Sequence, residues 1–191
     1  MEPKIKIHIL PGGKMPKRMS AEAVGYDVYL RAIVSAKEMD PENPHLRATR
    51  FDFKNWPKDR AVKRCVGEGE NGLVYELYPG RKVLVGIGFV TEMPPRMFYW
   101  VTPRSGLASK HGIQIANAPG TVDPDYRGEA GAIICNEGDE PFTLEHNMRI
   151  AQVVFQWALL PEMKEVAKYE DLSGTLRGAG GFGSTGNQTR S

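Results

Sequence analysis

Apolar and polar residues alternate in short runs along most of the chain. Ile5, Ile7 and Ile9 alternate with Lys6 and His8, which is the period-two pattern of a strand with one buried face. Further strand-like runs lie at residues 26–30, 82–90, 97–102, 130–135 and 150–157. Turns rich in glycine and proline separate these runs. The pattern predicts an all-β protein, built as a barrel or a sandwich of short strands.

Helical signals are few, and the chain length fits one domain. Residues 107–111 predict one helical turn, and residues 163–172 predict a short helix or an irregular link. We therefore expect a β domain at 1–176, followed by a glycine-rich arm at 177–191.

A polar and charged segment at 38–72 interrupts the strand pattern. Long excursions between strands are usually functional or mobile. Phe51, Phe53 and Trp56 are the candidates for fixing the segment to the body of the protein. Because it interrupts no candidate motif, we expect it to decorate the outside of the assembled protein and to offer a possible partner surface.

Charge and cysteine content narrow the function classes. The chain has 25 Lys and Arg against 23 Asp and Glu, a formal charge of +2. This balance argues against a surface built for nucleic acid but permits a local cationic pocket. Two cysteines are too few for a zinc motif or a disulfide framework, and four histidines show no ligand spacing. With neither a signal peptide nor a membrane-spanning apolar run, we expect a soluble, cytoplasmic protein.

The stretch 177–186, Arg-Gly-Ala-Gly-Gly-Phe-Gly-Ser-Thr-Gly, is half glycine but carries chemically useful side chains. Arg177 can fork onto phosphate oxygens, and Phe182 can stack on a base. The Ser184 and Thr185 hydroxyls, with bare glycine amides, can cradle an anion. The stretch is typical of a lid that orders over a nucleotide, and the alternative is an inert flexible terminus.

Two further stretches carry candidate ligand groups. Arg104-Ser105-Gly106 follows the strand-like run 97–102 and offers a guanidinium, a hydroxyl and an open amide, although a solvated turn is the commoner meaning of such a tripeptide. Residues 117–128 contain two turn signals around a very short strand, which suits a hairpin. In this hairpin Asn117 can read the polar edge of a pyrimidine, and Asp123 can orient and deprotonate a water. The alternative, which is the commoner one for such a stretch in isolation, is a hairpin whose Asp residues only cap its turns.

Two polar residues lie inside apolar strand patterns. Gln152 needs a hydrogen-bond partner, which is either structural or a ligand oxygen. For Asp27, the default interpretation is a lone acid on the solvent-exposed face of its strand.

The order of these stretches is more specific than any one of them. In chain order, the stretches with candidate ligand groups lie at 25–27, 104–106, 120–128, 149–152 and 177–186. Together they resemble the five ordered motifs of the trimeric dUTP pyrophosphatases (dUTPases), from about residue 20 to 186 except for 38–72.

The resemblance implies a distorted jelly-roll fold, like a β-barrel, that forms a homotrimer with a swapped C-terminal arm. It implies active sites at subunit interfaces, each with motifs one, two and four from one subunit, motif three from a neighbour and motif five from the third. The implied reaction is Mg²⁺-assisted hydrolysis of dUTP to dUMP and pyrophosphate. This reaction limits uracil in DNA and supplies dUMP for dTMP synthesis.

The resemblance also implies roles for individual residues. Asp123 matches the carboxylate that activates the attacking water, Tyr126 the ring that packs on deoxyribose, and Asp27 an acid that reaches Mg²⁺ through the metal's water ligands. The implied nucleoside contacts are Asn117, Gly120, Thr121, Val122, Asp123, Tyr126, Gly131 and Phe182. The implied phosphate contacts are Arg104, Ser105, Gly106, Gln152, Arg177, Gly183, Ser184 and Thr185.

The chain departs from the family pattern in two places. Ala23-Val24 leads into motif one in place of the usual small residues, and Asn147-Met148 stands where Gly-Asp is common before motif four. Met148 cannot supply a carboxylate, so the contact made by that acid is absent or rerouted.

Three other functions compete with dUTP hydrolysis. The dCTP deaminases share the implied fold, but Ile133 occupies the place of their catalytic Glu, and no carboxylate is left there to shuttle protons. A non-catalytic regulatory protein would use 38–72 as a docking surface. A Walker-type NTPase is the weakest alternative, because the glycine-rich tail lacks the Gly-Lys-Ser/Thr ending.

Overall fold

The computed structural model describes residues 3–181 of the chain. Within them lie fourteen β-strands and two short α-helices. The strands are β1 (Lys6–Ile9), β2 (Tyr26–Tyr29), β3 (Ala32–Met39), β4 (Arg47–Phe51), β5 (Val66–Gly69), β6 (Gly72–Leu77), β7 (Lys82–Gly86), β8 (Phe89–Glu92), β9 (Met97–Thr102), β10 (Ile113–Ile115), β11 (Gly120–Val122), β12 (Gly131–Asn136), β13 (Phe142–Leu144) and β14 (Arg149–Trp157). The helices are α1 (Arg60–Lys63) and α2 (Ser105–His111), and a 3-10 turn spans Tyr169–Asp171. The predicted all-β class is confirmed.

The strands form antiparallel sheets of two, five, four and three strands within this part of the chain. The five-stranded sheet has the order β10-β12-β7-β3-β4, and the four-stranded sheet has the order β11-β9-β14-β2. In the second of these, Gln152 of β14 lies opposite Asp27 on one side and Thr102 on the other. This register brings three distant stretches of sequence to one edge of the fold.

Alternation along the strands builds the core. Met97, Tyr99 and Val101 of β9 are buried, while the residues between them are partly exposed. Burial raises the pKa of the Tyr99 phenol well above its ordinary value, so this group stays neutral. The buried polar residue of β12 is Asn136, whose Nδ2 donates to the carbonyl oxygens of Leu77 and Glu140, both at 2.8 Å. Its buried amide is therefore satisfied.

Two predicted elements differ in detail from the structure. The apolar run at 82–90 is divided between β7 and β8, because the backbone turns at Gly88 with a positive φ of 78°. The short strand of the predicted hairpin is β11, and it pairs with β9, with Val122 opposite Tyr99. The motif-three stretch is thus tied to the same sheet as Asp27 and Gln152.

The segment 38–72 forms regular structure within the fold, with most of its residues at the surface and a few in the core. Its expected place on the outside of the trimer stays a prediction. The segment contains β4, α1 and β5, and Phe51 and Phe53 are buried in the core at 2% and 6% exposure. Trp56, by contrast, is 48% exposed. Two of the three aromatic side chains expected to fix the segment therefore do so, because they add apolar area to the main core.

We expect Phe51→Ala to lower the free energy of unfolding by about 3–5 kcal/mol, because it leaves a cavity in a packed core. Trp56→Ala is the matched control and should cost under about 1 kcal/mol. Chemical denaturation of both variants measures the difference. Equal losses for the two substitutions would contradict the buried role of the segment.

The chain divides into two compact units, Met1–Leu159 and Leu160–Ser191. The sequence places this boundary later, at 177. In its described part, 160–181, the second unit has one 3-10 turn and otherwise irregular backbone, and Leu160 and Met163 are largely exposed. No helix within residues 3–181 has the length and apolar character needed to cross a lipid bilayer.

Candidate active site

One cavity of about 410 Å³ collects residues from motifs one, two and four. We call it the Asp27 pocket. It is lined by Met19, Ala23, Val24, Gly25, Asp27, Arg104, Ser105, Gly106, Arg149 and Gln152. The predicted phosphate contacts at 104–106 and 152 therefore lie together with the predicted motif-one acid.

Asp27 lies at the centre of a charge network in this pocket. Its carboxylate accepts from Arg104 Nε at 3.3 Å and from Arg149 Nη1 at 3.1 Å, and the residue is only 8% exposed. The default placement of Asp27 on a solvent face is therefore wrong. Two guanidiniums around one carboxylate leave a net positive charge, which favours an anionic ligand.

Gln152 joins motif four to motif two. Its Nε2 donates to the carbonyl oxygen of Pro103 at 3.0 Å, directly before Arg104. A Cβ at Gly25 would lie 2.2 Å from the Gln152 side-chain oxygen, so only glycine allows this approach. The hydrogen-bond partner of this half-buried amide is thus structural, while the side chain still borders the pocket.

Ser105 and Gly106 begin helix α2, which contains the helical turn predicted at 107–111. The first N–H groups of a helix have no acceptor within it. Space around Gly106 is open, with nothing within 4 Å of a Cβ placed there. Backbone donors and the Ser105 hydroxyl therefore border the Asp27 pocket beside Arg104.

A second cavity, of about 330 Å³, collects the motif-three residues, and we call it the Asp123 pocket. Its lining is Ala36, Arg47, Leu84, Asn117, Thr121, Val122, Asp123, Tyr126, Glu129, Ala130, Gly131 and Ile133. All predicted nucleoside contacts within 117–131 lie here except Gly120, which is buried in β11. Asn117 Nδ2 lies 3.0 Å from a Cβ placed on Gly120, so the amide packs against that backbone.

The Asp123 carboxylate is available for chemistry. Within residues 3–181 it makes no hydrogen bond or ion pair, and the residue is exposed. The loop that carries it is ordered by a bond from the Tyr126 N–H to the Asp123 carbonyl oxygen at 3.2 Å. The Tyr126 hydroxyl donates to the Glu129 carbonyl oxygen at 3.0 Å. A free carboxylate thus stands beside an aromatic ring that is held at its far end.

The two pockets share no lining residue. Val122 lies opposite Tyr99, and β9 runs on from there to Thr102, just before Arg104. Three strand residues span about 10 Å, and Asp123 and Arg104 extend beyond that span in opposite directions. Asp123 and Arg104 of one chain are therefore well separated.

The candidate arm is described only at its start. Arg177 Nε donates to the Gly180 carbonyl oxygen at 2.7 Å, which closes a local turn. Phe182, Gly183, Ser184 and Thr185 lie outside the described residues, so their predicted contacts stay predictions.

A protein-family model described as dUTPase matches residues 74–186, which hold motifs two to five. The chain belongs to the dUTPase family. The resemblance recognised in the sequence is confirmed.

Three relatives of this dUTPase family member illustrate the match. A deoxyuridine 5'-triphosphate nucleotidohydrolase of Rhizobium rhizogenes is 50% identical over 117 residues, which is 61% of this chain and 73% of that protein. The Staphylococcus bacteriophage 80alpha dUTPase with dUPNHPP has a TM-score of 0.67 and 21% identity, covering 96% of this chain and 98% of that one. A mutant dUTPase from phage phi11 of S. aureus, with a structural Mg(II) ion, has a TM-score of 0.60 and 17% identity over 87% and 99% of the two chains. At these identities the two phage structures show a shared fold.

Sequence reasoning gave no separate role to three residues of this dUTPase that line the pockets. Arg149 borders the Asp27 pocket, and its place in the Arg-Ile-Ala-Gln run was the available signal. Arg47, from the segment 38–72, borders the Asp123 pocket, where its Nη1 donates to the Ala36 carbonyl oxygen at 3.1 Å. Glu129 also borders it, and its signal was an acid placed directly before an apolar strand.

The donor set of the dUTPase does not form a metal cage by itself. Within residues 3–181 no three His, Cys, Asp or Glu side chains come together as metal ligands, and Asp27 is the single carboxylate that lines its pocket. Mg²⁺ needs an octahedral set of oxygen ligands and usually keeps several waters. Asp27 thus fits a metal whose other ligands come from a bound nucleotide and from water.

Proposed function

We propose that this dUTPase family member is a dUTP diphosphatase, which hydrolyses dUTP to dUMP and pyrophosphate. The observation that carries the proposal is the presence, in one chain, of two separate pockets with complementary chemistry. The Asp123 pocket offers a free carboxylate, an amide and a ring, and the Asp27 pocket offers guanidinium groups and backbone donors. The curated relatives named as nucleotidohydrolases support the same substrate.

In the Asp123 pocket the nucleoside end of the substrate binds. Asn117 and the backbone near Gly131 read the uracil edge, and Tyr126 packs on the deoxyribose, where a 2′-hydroxyl would clash. Cytosine would present a donor where uracil presents an acceptor, and the unpaired groups of the pocket would reject it. Asp123 positions the attacking water and accepts its proton.

In the Asp27 pocket the phosphates bind. Arg104, Ser105 and the Gly106 amide donate to phosphate oxygens, and Arg149 adds positive charge beside them. Gln152 holds the motif-two turn through Pro103. Bound Mg²⁺ would supply neutralisation of the developing pyrophosphate charge, and Asp27 would hold it through its water ligands. Most of the rate enhancement comes from placing water and phosphorus together.

The separation of the two pockets supports a shared site. Because Asp123 and Arg104 extend in opposite directions from β9, one chain cannot present both to the same triphosphate. A homotrimer solves this by joining the Asp27 pocket of one copy to the Asp123 pocket of another. The exposed apolar residues Leu160 and Met163 suit an arm that packs on a neighbouring copy, from which 177–186 closes over the nucleotide.

Deamination of dCTP fits this pocket poorly. Ile133 lines the Asp123 pocket where that reaction needs a carboxylate. Glu129 is the other acid nearby, but Arg31 holds both of its oxygens. A purely regulatory role is also less favoured, because the groups needed for hydrolysis are present. We also propose a partner surface on the segment 38–72, where Trp56 is exposed. A cytoplasmic location stays a prediction.

A substrate panel tests the proposed function. We expect rapid release of pyrophosphate from dUTP with Mg²⁺ and turnover of dTTP, dCTP and UTP that is lower by several powers of ten, because each misfit leaves a clash or unpaired polar groups. Ammonia release from dCTP is assayed in parallel. Ammonia from dCTP, or no cleavage of dUTP, would overturn the proposal.

A further inference from the structure

Glu129 has a socket of its own in the fold. Its Oε1 and Oε2 accept from Arg31 Nε and Nη2, both at 2.6 Å, and Oε1 also accepts from the Gly88 N–H at 3.0 Å. The residue is 1% exposed. Burying a carboxylate is costly unless it is paired and fully hydrogen-bonded, and this one meets both conditions.

Strand β7 leaves the space for this carboxylate. A Cβ at Gly86 would lie 2.3 Å from Glu129 Oε1 and 2.7 Å from its Cδ. Such a contact is impossible without displacing the buried ion pair. The buried site of the Glu129 carboxylate therefore depends on Gly86 in β7, on Arg31 after β2 and on the position of Glu129 after the motif-three loop.

The main chain of Glu129 is also fully used. Its N–H donates to the His45 carbonyl oxygen at 3.2 Å, and its carbonyl oxygen accepts from the Tyr126 hydroxyl at 3.0 Å. The ion pair thus fixes a residue whose backbone holds the exposed tyrosine ring of the Asp123 pocket. Among the hydrogen bonds of residues 3–181, the Tyr126 hydroxyl bonds to the main chain of Glu129 and to neither the Glu129 nor the Arg31 side chain.

We infer that Glu129, clamped by Arg31, is a positioning residue that sets sugar selectivity by holding the Tyr126 ring in place through its carbonyl oxygen. The inference rests on the proposed function, in which that ring leaves no room for a 2′-hydroxyl. A ring that is held at both ends rejects a ribonucleotide by a clash. A ring that has lost its hydroxyl anchor can move aside for the ribose.

The test is a double-mutant cycle read by the ratio of kcat/KM for dUTP to that for UTP. Tyr126→Phe removes only the anchoring bond and should lower the ratio by roughly 3- to 10-fold. Glu129→Gln removes the charge that the Arg31 fork holds and should lower it by a similar factor. The double variant should lose no more than the larger single one, because both changes act through one contact.

Controls separate positioning from general damage. Glu92→Gln removes the negative charge from the exposed pair between Lys6 Nζ and Glu92 Oε1, which lie 2.7 Å apart, and should leave the ratio unchanged. If Glu129→Gln fails to fold, Arg31→Lys replaces it in the cycle, since lysine keeps the charge but loses the planar fork. A structural defect alone would lower turnover of both substrates equally.

The activity of the wild-type protein tests the proposed function, and the ratios of the variants test the positioning role. A wild-type protein that leaves dUTP uncleaved overturns the proposed function. A wild-type protein that cleaves dUTP and rejects UTP, with the ratio unchanged in Tyr126→Phe and in Glu129→Gln, overturns the positioning role alone. Additive losses in the double variant also overturn it.

Discussion

Asp123→Asn should lower kcat for dUTP by about 10³-fold, within the range that general-base catalysis usually contributes. The amide keeps the shape of the side chain but cannot accept the proton of the attacking water. Because Asp123 is exposed and makes no side-chain bond within residues 3–181, the free energy of unfolding should stay nearly constant. Single-turnover kinetics and thermal melts of the variant measure the two effects.

Asp125→Asn is the matched control for this experiment. Asp125 is an exposed acid on the same loop, two residues further on, and it lines neither pocket. Its replacement should leave kcat nearly unchanged, because the side chain borders neither cavity. Equal losses for the two variants would mean that the general charge of the loop, rather than one carboxylate, drives the reaction.

Truncation after Leu176 should lower kcat for dUTP by about 10²-fold or more, since misplacing a bound substrate by about 1 Å already costs that much. The truncation removes Arg177 together with the glycine-rich motif. Lid closure assembles the site and excludes water, so binding of dUMP should suffer less than turnover. The removed residues belong to the unit Leu160–Ser191, so the melting temperature of the unit Met1–Leu159 should barely change.

A shorter truncation controls for the loss of chain length. Removing 187–191 leaves every residue of the fifth motif in place and should preserve activity. Arg177→Ala should reproduce part of the loss caused by the longer truncation, because it removes one phosphate contact. Full activity in the protein truncated after Leu176 would refute the lid.

Most of the function was predicted from the order of the motifs, and most of the fold was predicted from the strand periodicity. The expected runs at 5–9, 26–30, 97–102 and 150–157 all contain strands, because alternation reports directly which residues face a core. The segment 38–72 has no such alternation, so its strands and its helix could not be predicted from the sequence. Phe51 and Phe53 are too few to give a period, but they stand out in a polar segment as candidates for the core, and both are buried.

Sequence by itself determined which side chains are present for chemistry: the Asp123 carboxylate, the Tyr126 ring, the Arg104 guanidinium and the glycine-rich arm. It did so because members of one fold family carry their site residues in the same order along the chain, and this order is readable without a structure. Only the tertiary structure determined which residues lie beside these groups in space. Strand pairing places Asp27 opposite Gln152, more than a hundred residues away, and no local pattern encodes such a partner.

The same division explains the charges. A sequence shows that Asp27 and Glu129 are acids, but only the packed fold shows that each is buried against guanidinium groups. It also shows that the two pockets stand apart in one chain. The physical reason is that periodicity specifies the face of a strand, whereas the sheet order and the pairing of buried charges depend on the energy of the whole assembled core.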